Sequence, residues 1–318
     1  MRRQIKFGIL GYASIARREV IPAIESAQNA VNYALASGKA ESRQAAKEAF
    51  GFEKLYGDYD ALLKDKEVEA VYIPLPNGLH KEWTIKAARA GKHVLCEKPM
   101  ALTREDCLEM ISACEENGVK LMEAFMYRFT TRIRKLKELL DSGAIGEVRH
   151  INSTFRFYNS RVKDVRFDPA LGGGSLWDVG CYPINLIGMI MGEEPVSLCA
   201  QKTEKHGVDY SLTAVMKYRS GALCTASCGF DSDSALVSEI NGSTGSILMR
   251  DSFHETDTPI LLIRDGIAEE IPVPACRRYV LEVEDFANAI ISRREPGFSL
   301  KETVRNIGLI QRILQAAE

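Results

Sequence analysis

Three residue types in this chain could manage a proton together. Lys98 follows the apolar run at residues 93–96, within the stretch VLCEKP at 94–99. A lysine at the end of a buried strand is partly desolvated, which lowers its pKa and lets it exchange a proton with a reacting oxygen. Pro99 fixes the backbone beside it, in the one setting where a cis peptide is expected. Asp178 and Tyr182 stand four apart in GGGSLWDVGCYP at 172–183, so they share one helix face, a turn apart. A carboxylate next to a phenol can orient it and steer its proton. The three glycines and Ser175 read as a flexible approach followed by a helix N-cap. Lysine, tyrosine and aspartate are the groups needed to handle an alcohol proton while a cofactor handles hydride. The plainer readings are that Glu97 and Lys98 are surface loop charges, and that Tyr182 is a buried phenol satisfied by Asp178.

Such chemistry needs a cofactor site, and GILGYASIA at 8–16 offers one. A dinucleotide fingerprint reads G-x-G-x-x-G/A. Gly11 fits its first position, Ala13 replaces the middle glycine and Ala16 fits the third. Gly11 permits the tight turn, Ala13 is small enough for a phosphate to approach, and Ala16 allows close helix packing. The following helix N-terminus supplies amide donors and a favourable dipole. The alternative is a tight strand-to-helix turn with no ligand. A site for NAD offers an acid at the end of the second strand. Here that strand ends Ala36-Ser37-Gly38-Lys39, with Glu41 the first acid. Ser37 can donate to a 2′-phosphate, Lys39 brings charge and Arg43 is within reach. These residues favour NADP(H) and leave NAD(H) possible. The plainer reading of Lys39 and Arg43 is solvated charge at a helix start.

The elements that must position these groups follow from the pattern. Strands are expected at 6–10, 31–36, 68–73, 93–96 and 119–123. Helices are expected at 15–27, kinked by Pro22, and at 40–50, 80–90 and 103–116, the last with Thr103 and Asp106 as a capping box. Strands alternating with helices imply a parallel sheet with right-handed crossovers, and its ligands lie beyond the carboxyl ends of the strands. After a charged helix at 132–142 the pattern changes. Residues 147–273 are mostly strand-like, with alternation at 148–157, 212–218 and 222–230 and turn signals at Ser220-Gly221, Gly242 and Asp265-Gly266. Two helices close the chain, the last with an apolar stripe at Leu300, Val304, Ile307, Leu314 and Ala317. The fold class is α/β: an N-terminal Rossmann domain over 1–124, then an α/β domain over 125–318 built on an open, mostly antiparallel sheet.

Composition fits two ordinary globular cores: 318 residues, 46% hydrophobic and 26% charged, with net charge −2. Both signs are mixed along the chain, so no basic stripe suggests nucleic acid and no polybasic block suggests a membrane. No apolar run approaches the roughly 20 residues of a membrane span. Met1-Arg2-Arg3 before an apolar stretch has the look of a signal peptide, but Lys6 and Arg17-Arg18 argue for a buried first strand and turn instead. Eight cysteines without a CxxC pair read as reduced thiols, which fits a cytoplasmic protein. Cys224 and Cys228 are expected on one face of a strand.

The ordered set of motifs resembles the Gfo/Idh/MocA family of glucose–fructose oxidoreductase and inositol dehydrogenase. It comprises residues 8–16, PLPNGLH at 74–80, GKHVLCEKP at 91–99, EAFMYRF at 123–129 and GGGSLWDVGCYP at 172–183. The resemblance covers nearly the whole chain. Tyrosine at 182, where many members carry histidine, is the form of members such as dihydrodiol and xylose dehydrogenases and sugar 3-ketoreductases. The resemblance implies an oxidoreductase acting on CH–OH groups of a carbohydrate or a dihydrodiol, in a homodimer or higher homo-oligomer. It implies that Lys98 and Tyr182 are catalytic and Asp178 supporting. The cofactor would be lined by Tyr12, Ala13, Ser14, Ile15, Ser37, Gly38, Lys39, Leu75, Pro76, Asn77, His80, Glu97 and Lys98, with Arg166 reaching the nicotinamide end. Thr130-Thr131 stands where the family often has His-Pro, which leaves substrate contacts near Arg128 open. A glycosidase using tightly held NAD and a non-catalytic NADP-binding regulator remain competing readings.

Overall fold

The computed structural model describes residues 3–161 and 164–317. Met1 and Arg2, the start of the leader-like stretch, lie outside the described residues. The chain divides into two compact units. One takes residues up to Met126 and Arg277–Thr303, the other Tyr127–Cys276 and the residues from Val304 on. Where a single boundary at 124/125 was expected, the segment after Cys276 returns to the first unit.

The first unit is built on a six-stranded parallel sheet. Its strands are β1 (Ile5–Leu10), β2 (Ala30–Ala36), β3 (Lys54–Tyr56), β4 (Ala70–Ile73), β5 (His93–Glu97) and β6 (Leu121–Ala124), in the order β3-β2-β1-β4-β5-β6. This is the doubly wound order, with the switch point between β1 and β4. The strands read as almost continuous apolar runs because both faces are covered: Ile9, Leu35, Val71, Ile73 and Val94 are all fully buried. The covering helices are α1 (Ile21–Ser26), α2 (Ala40–Phe50), α3 (Tyr59–Leu63), α4 (His80–Arg89) and α5 (Arg104–Glu116). Thr103 caps α5 as expected, accepting from Asp106 N at 3.0 Å.

The first helix differs from the expected kinked rod. Residues Ala16–Val20 form a wide π-helical turn, and Pro22 sits in the first turn of α1. The Ile21 amide donates five residues back, to Ala16 O. Proline has no N–H and its ring clashes with the carbonyl four residues earlier, so the wider register before it removes the conflict.

The second unit holds an eight-stranded mixed sheet. Its strands are β7 (Val148–Arg156), β8 (Ser197–Lys205), β9 (Val208–Lys217), β10 (Leu223–Gly229), β11 (Ala235–Gly242), β12 (Ser246–Arg250), β13 (Ile260–Arg264) and β14 (Ile267–Ile271). Their order is β14-β13-β12-β11-β7-β10-β9-β8, antiparallel except for the β7–β10 pair. The flanking helices are α6 (Thr131–Asp141) and α7 (Cys181–Met191), with α8 (Arg278–Ser292) belonging to the first unit. α7 packs on β7 and β10. The last helix, α9 (Leu300–Ala316), buries Thr303, Asn306, Ile307, Ile310 and Ile313. Of the expected stripe Ile307 is fully buried and Leu300, Val304, Leu314 and Ala317 are half-buried, with the polar Thr303 and Asn306 buried beside them. Arg305 instead reaches across to cap α7, donating to Gly188 O at 2.7 Å and Gly192 O at 2.6 Å.

Candidate active site

The expected cofactor residues of the first unit gather along the carboxyl ends of its strands. Gly11 closes β1 with φ +103°, and its amide donates to Ala36 O at 2.8 Å, tying the turn to β2. A Cβ at Gly11 would stand 3.3 Å from both Leu75 Cδ2 and Tyr59 Oη, on a backbone that L-residues rarely adopt. The turn is therefore a cradle that only glycine leaves open. Tyr12, Ala13 and Ile15 are half-buried and Ser14 is exposed, at the start of the helix. That set of amides and small side chains suits a phosphate-bearing dinucleotide.

At the end of β2, Ser37 is buried and its Oγ accepts from the Lys39 amide at 3.3 Å. Arg43 reaches back from α2 to donate to Ser37 O at 2.5 Å. Gly38 and Lys39 are exposed, and no acid intervenes. Beyond β4, Leu75, Pro76 and Asn77 are half-buried. His80 is fully buried, its Nε2 2.8 Å from Leu75 O and its Nδ1 2.9 Å from Pro99 O. Two carbonyls facing both nitrogens favour a protonated ring, but burial is the larger effect and pushes its pKa down. The imidazole thus joins the loop after β4 to the loop after β5.

Lys98 immediately follows β5 and joins Pro99 through a cis peptide. Glu97 fixes this corner by accepting from Tyr72 Oη at 2.5 Å and from the Lys98 amide at 3.2 Å. Behind it lie two fully buried carboxyls. Glu123 Oε1 accepts from Met100 N at 3.0 Å, and burial raises its pKa to about 7 against the pull of that amide and of Lys98. Neither oxygen of Glu282 on α8 meets a hydrogen-bond partner among the described residues, and burial drives its pKa well up. Neither acid was singled out from sequence, because each looks like an ordinary helix or strand charge until its burial is known.

The second unit holds Arg166, Asp178 and Tyr182. Residues Leu176–Gly180 form a second wide turn, which runs into α7 just ahead of Pro183. Ser175 does not cap it. Its own backbone is already helical, and its hydroxyl donates to Asp209 Oδ2 at 2.7 Å, as does the Leu176 amide at 2.7 Å. Asp209 on β9 therefore does the capping. The glycines before it are fastened rather than flexible: Gly173 donates to Asp168 O and Gly174 to Arg166 O, both at 2.9 Å. A Cβ on Gly174 would collide with Asp209. Asp178 Oδ2 accepts from Arg166 Nε at 2.5 Å, and the carboxylate holds the guanidinium firmly in its charged form. Asp164 adds a second contact to Arg166 at 3.3 Å.

Tyr182 is buried among aromatic rings. Phe155 lies at 5.2 Å, Phe253 at 5.5 Å and Tyr127 at 5.8 Å between centroids. Tyr127 donates to Asn185 Oδ1 at 2.5 Å, and Arg128 shares that acceptor at 3.0 Å. Thr130 caps α6, accepting from Ile133 N at 3.3 Å. Lys98 belongs to the first unit and Tyr182, Asp178 and Arg166 to the second.

Comparison with known proteins now decides the lineage. Residues 5–125 match the oxidoreductase family with an NAD-binding Rossmann fold, and residues 133–248 match the GFO/IDH/MocA C-terminal domain. The chain belongs to the Gfo/Idh/MocA oxidoreductase family. It is 35% identical to D-xylose 1-dehydrogenase (NADP(+)) 2 of Haloferax volcanii, over 98% of this chain and 97% of that one. It is 33% identical to dTDP-3,4-didehydro-2,6-dideoxy-alpha-D-glucose 3-reductase of Actinomadura kijaniata, over 98% and 96%. A 3-ketoreductase from Actinomadura kijaniata, solved in complex with NADP and TDP-benzene, superposes with TM-score 0.93 at 32% identity, over 99% of this chain and 98% of that one. That ketoreductase has also been solved with single substitutions of a lysine and of a tyrosine, which stand as far apart in its chain as Lys98 and Tyr182 do here. The family's Rossmann domain and its second, sheet-based domain are both present. The chain is an oxidoreductase with a nicotinamide-dinucleotide-binding fold. No helix among its described residues is long and apolar enough to cross a membrane.

Proposed function

We propose that this chain is an NADP(H)-dependent oxidoreductase that exchanges hydride with a hydroxyl or carbonyl of a sugar or sugar-like molecule. The observation that carries the reading is Lys98, an ammonium at the end of β5 in the same row of strand ends as the Gly11 turn and Ser37. Gly11 to Ile15 hold the phosphates through open backbone and helix-start amides. Ser37 and Lys39 bind the 2′-phosphate, with Arg43 bracing the Ser37 carbonyl. The dinucleotide, when bound, supplies or accepts hydride.

The remaining chemistry belongs to the chain. Lys98 polarises the substrate oxygen and holds it. In the second unit, Tyr182 is the proton donor in reduction and the proton acceptor in dehydrogenation. Asp178 and Arg166 hold each other in place at the turn that leads into the Tyr182 helix. The matching separation of the substituted lysine and tyrosine in the solved ketoreductase supports assigning these roles to Lys98 and Tyr182. A tightly held NAD used in a glycosidase, or a regulator that binds NADP without turnover, gains no support from the xylose dehydrogenase and the ketoreductase it resembles.

The test is a screen of aldoses, ketosugars and dihydrodiols, following NADPH absorbance in both directions. NADPH formation with an aldose or its consumption with a ketosugar is the expected result. Tight NADPH binding with no turnover across all three classes would point to the regulator instead.

A further inference from the structure

We propose that Tyr59 is a further binding residue for the dinucleotide, its phenolic hydroxyl hydrogen-bonding the ligand at the glycine turn. This rests on the reading of that turn as a dinucleotide site. Tyr59 Oη and Leu75 Cδ2 are the two atoms that a Cβ on Gly11 would meet, both at 3.3 Å. Leu75 is already assigned to the cofactor lining, so the phenol stands on the same side of the turn, over the only backbone there that carries no side chain. The ring is half-buried while its oxygen is not sealed in.

The neighbouring tyrosines make the contrast. Tyr56 donates to Asp65 at 2.8 Å and Tyr72 to Glu97 at 2.5 Å, each within the unit. Tyr59 packs instead through its ring, edge-on to Trp83 at 4.8 Å and 89°. Trp83 is itself held under the Lys86 ammonium at 4.1 Å. The backbone is fixed too, since Asp58 caps α3 by accepting from Ala61 N at 2.7 Å. Phenylalanine would serve that packing equally well. A phenol that is immobilised by its ring and keeps its donor at the cradle loses little entropy on meeting an acceptor. Phosphate and ribose oxygens are such acceptors.

Calorimetric titration of NADPH into the full chain tests this without turnover. Tyr59→Phe keeps the ring on Trp83 and removes only the donor, so affinity should fall about 5- to 10-fold. Tyr56→Phe removes a hydroxyl committed to Asp65 and should leave affinity unchanged. Equal affinity in Tyr59→Phe and the unaltered protein would overturn the role of Tyr59 while leaving the cofactor site standing. Failure of the unaltered protein to bind either NADPH or NADH would overturn the dinucleotide reading and the role of Tyr59 with it.

Discussion

The two units solve a similar backbone problem and use the result differently. Each carries a wide helical turn just ahead of a proline, at Ala16–Val20 before Pro22 and at Leu176–Gly180 before Pro183. The first turn follows a glycine cradle, Gly11 to Ile15, which presents backbone, the small side chain of Ala13 and exposed Ser14. The second presents Asp178, locked to Arg166, and leads into Tyr182 in its aromatic surroundings. Phosphate recognition is served by amides, which any sequence supplies if the side chains stay small. Proton transfer needs particular side chains held in place by others. The first region is legible as a pattern of small residues, and the second only as a set of chemical identities.

Removing the chemistry of the second region should give the largest effect. Tyr182→Phe deletes only the hydroxyl, and the ring keeps its contacts with Phe155, Phe253 and Tyr127. Single-turnover hydride transfer should fall about 10²–10⁴-fold, with NADPH affinity almost unchanged. Lys98→Met should be similarly damaging, since it keeps the stem and loses the charge. Near-normal transfer in Tyr182→Phe would make the phenol a packing residue and erase the contrast between the two regions.

How far the sequence could carry this is visible at particular residues. The strands of the first sheet stood out because a doubly covered sheet demands uninterrupted apolar runs. β3, three half-buried residues of mixed polarity, carries no such signal. The return of α8 to the first unit depends on contacts such as Asn29 Nδ2 to Glu284 O at 2.9 Å, which join positions hundreds of residues apart. Ser175 had the right type and position for an N-cap, but a buried partner, Asp209, claimed its hydroxyl. Lys98, Tyr182 and Asp178 were singled out as candidates by chemistry and spacing. The Arg166–Asp178 pair was not, since the eleven residues between them must fold into fastened turns before the two can meet.

The first region has its own burden of buried charge, which a pH series should expose. Glu123 has its carboxyl pKa raised from 4.5 to about 7 by burial. A raised acid holds its proton more tightly in the folded chain than in the unfolded one. Its contribution is therefore fully present below about pH 4.5 and is lost as pH rises to about 7. Glu123→Gln keeps an acceptor for Met100 N and removes the titration. Its stability relative to the unaltered protein, from urea unfolding, should improve by up to about 3 kcal/mol between pH 4.5 and pH 8. Glu282→Gln should shift the same way, since its burial acts in the same direction. A stability difference that stays constant across this range would mean that neither carboxyl is protonated in the fold.

Cofactor preference should respond more modestly. Lys39 is exposed at the end of β2, and the proposed function gives it one charge-assisted contact with the 2′-phosphate. Lys39→Ala should weaken NADPH roughly 5- to 30-fold and leave NADH alone. Equal weakening of both in calorimetric titrations would mean that the lysine does not read the 2′-phosphate.

The smallest effect tests whether the first wide turn is merely accommodating. Alanine at position 22 restores an N–H and removes the ring clash, so the turn is free to tighten to ordinary helical spacing. The amides at Ala13 to Ile15, proposed above to face the phosphates, precede the affected register and should not move far. Pro22→Ala should cost only roughly 0.4–1 kcal/mol in urea unfolding, through greater freedom of the unfolded chain. NADPH affinity should hold within about twofold. A tenfold loss of affinity with the fold intact would show that the wide turn itself aims the amides at the phosphates. The first region would then depend on a specific residue as the second depends on Tyr182, and the division between backbone and side-chain recognition would fail at its own starting point.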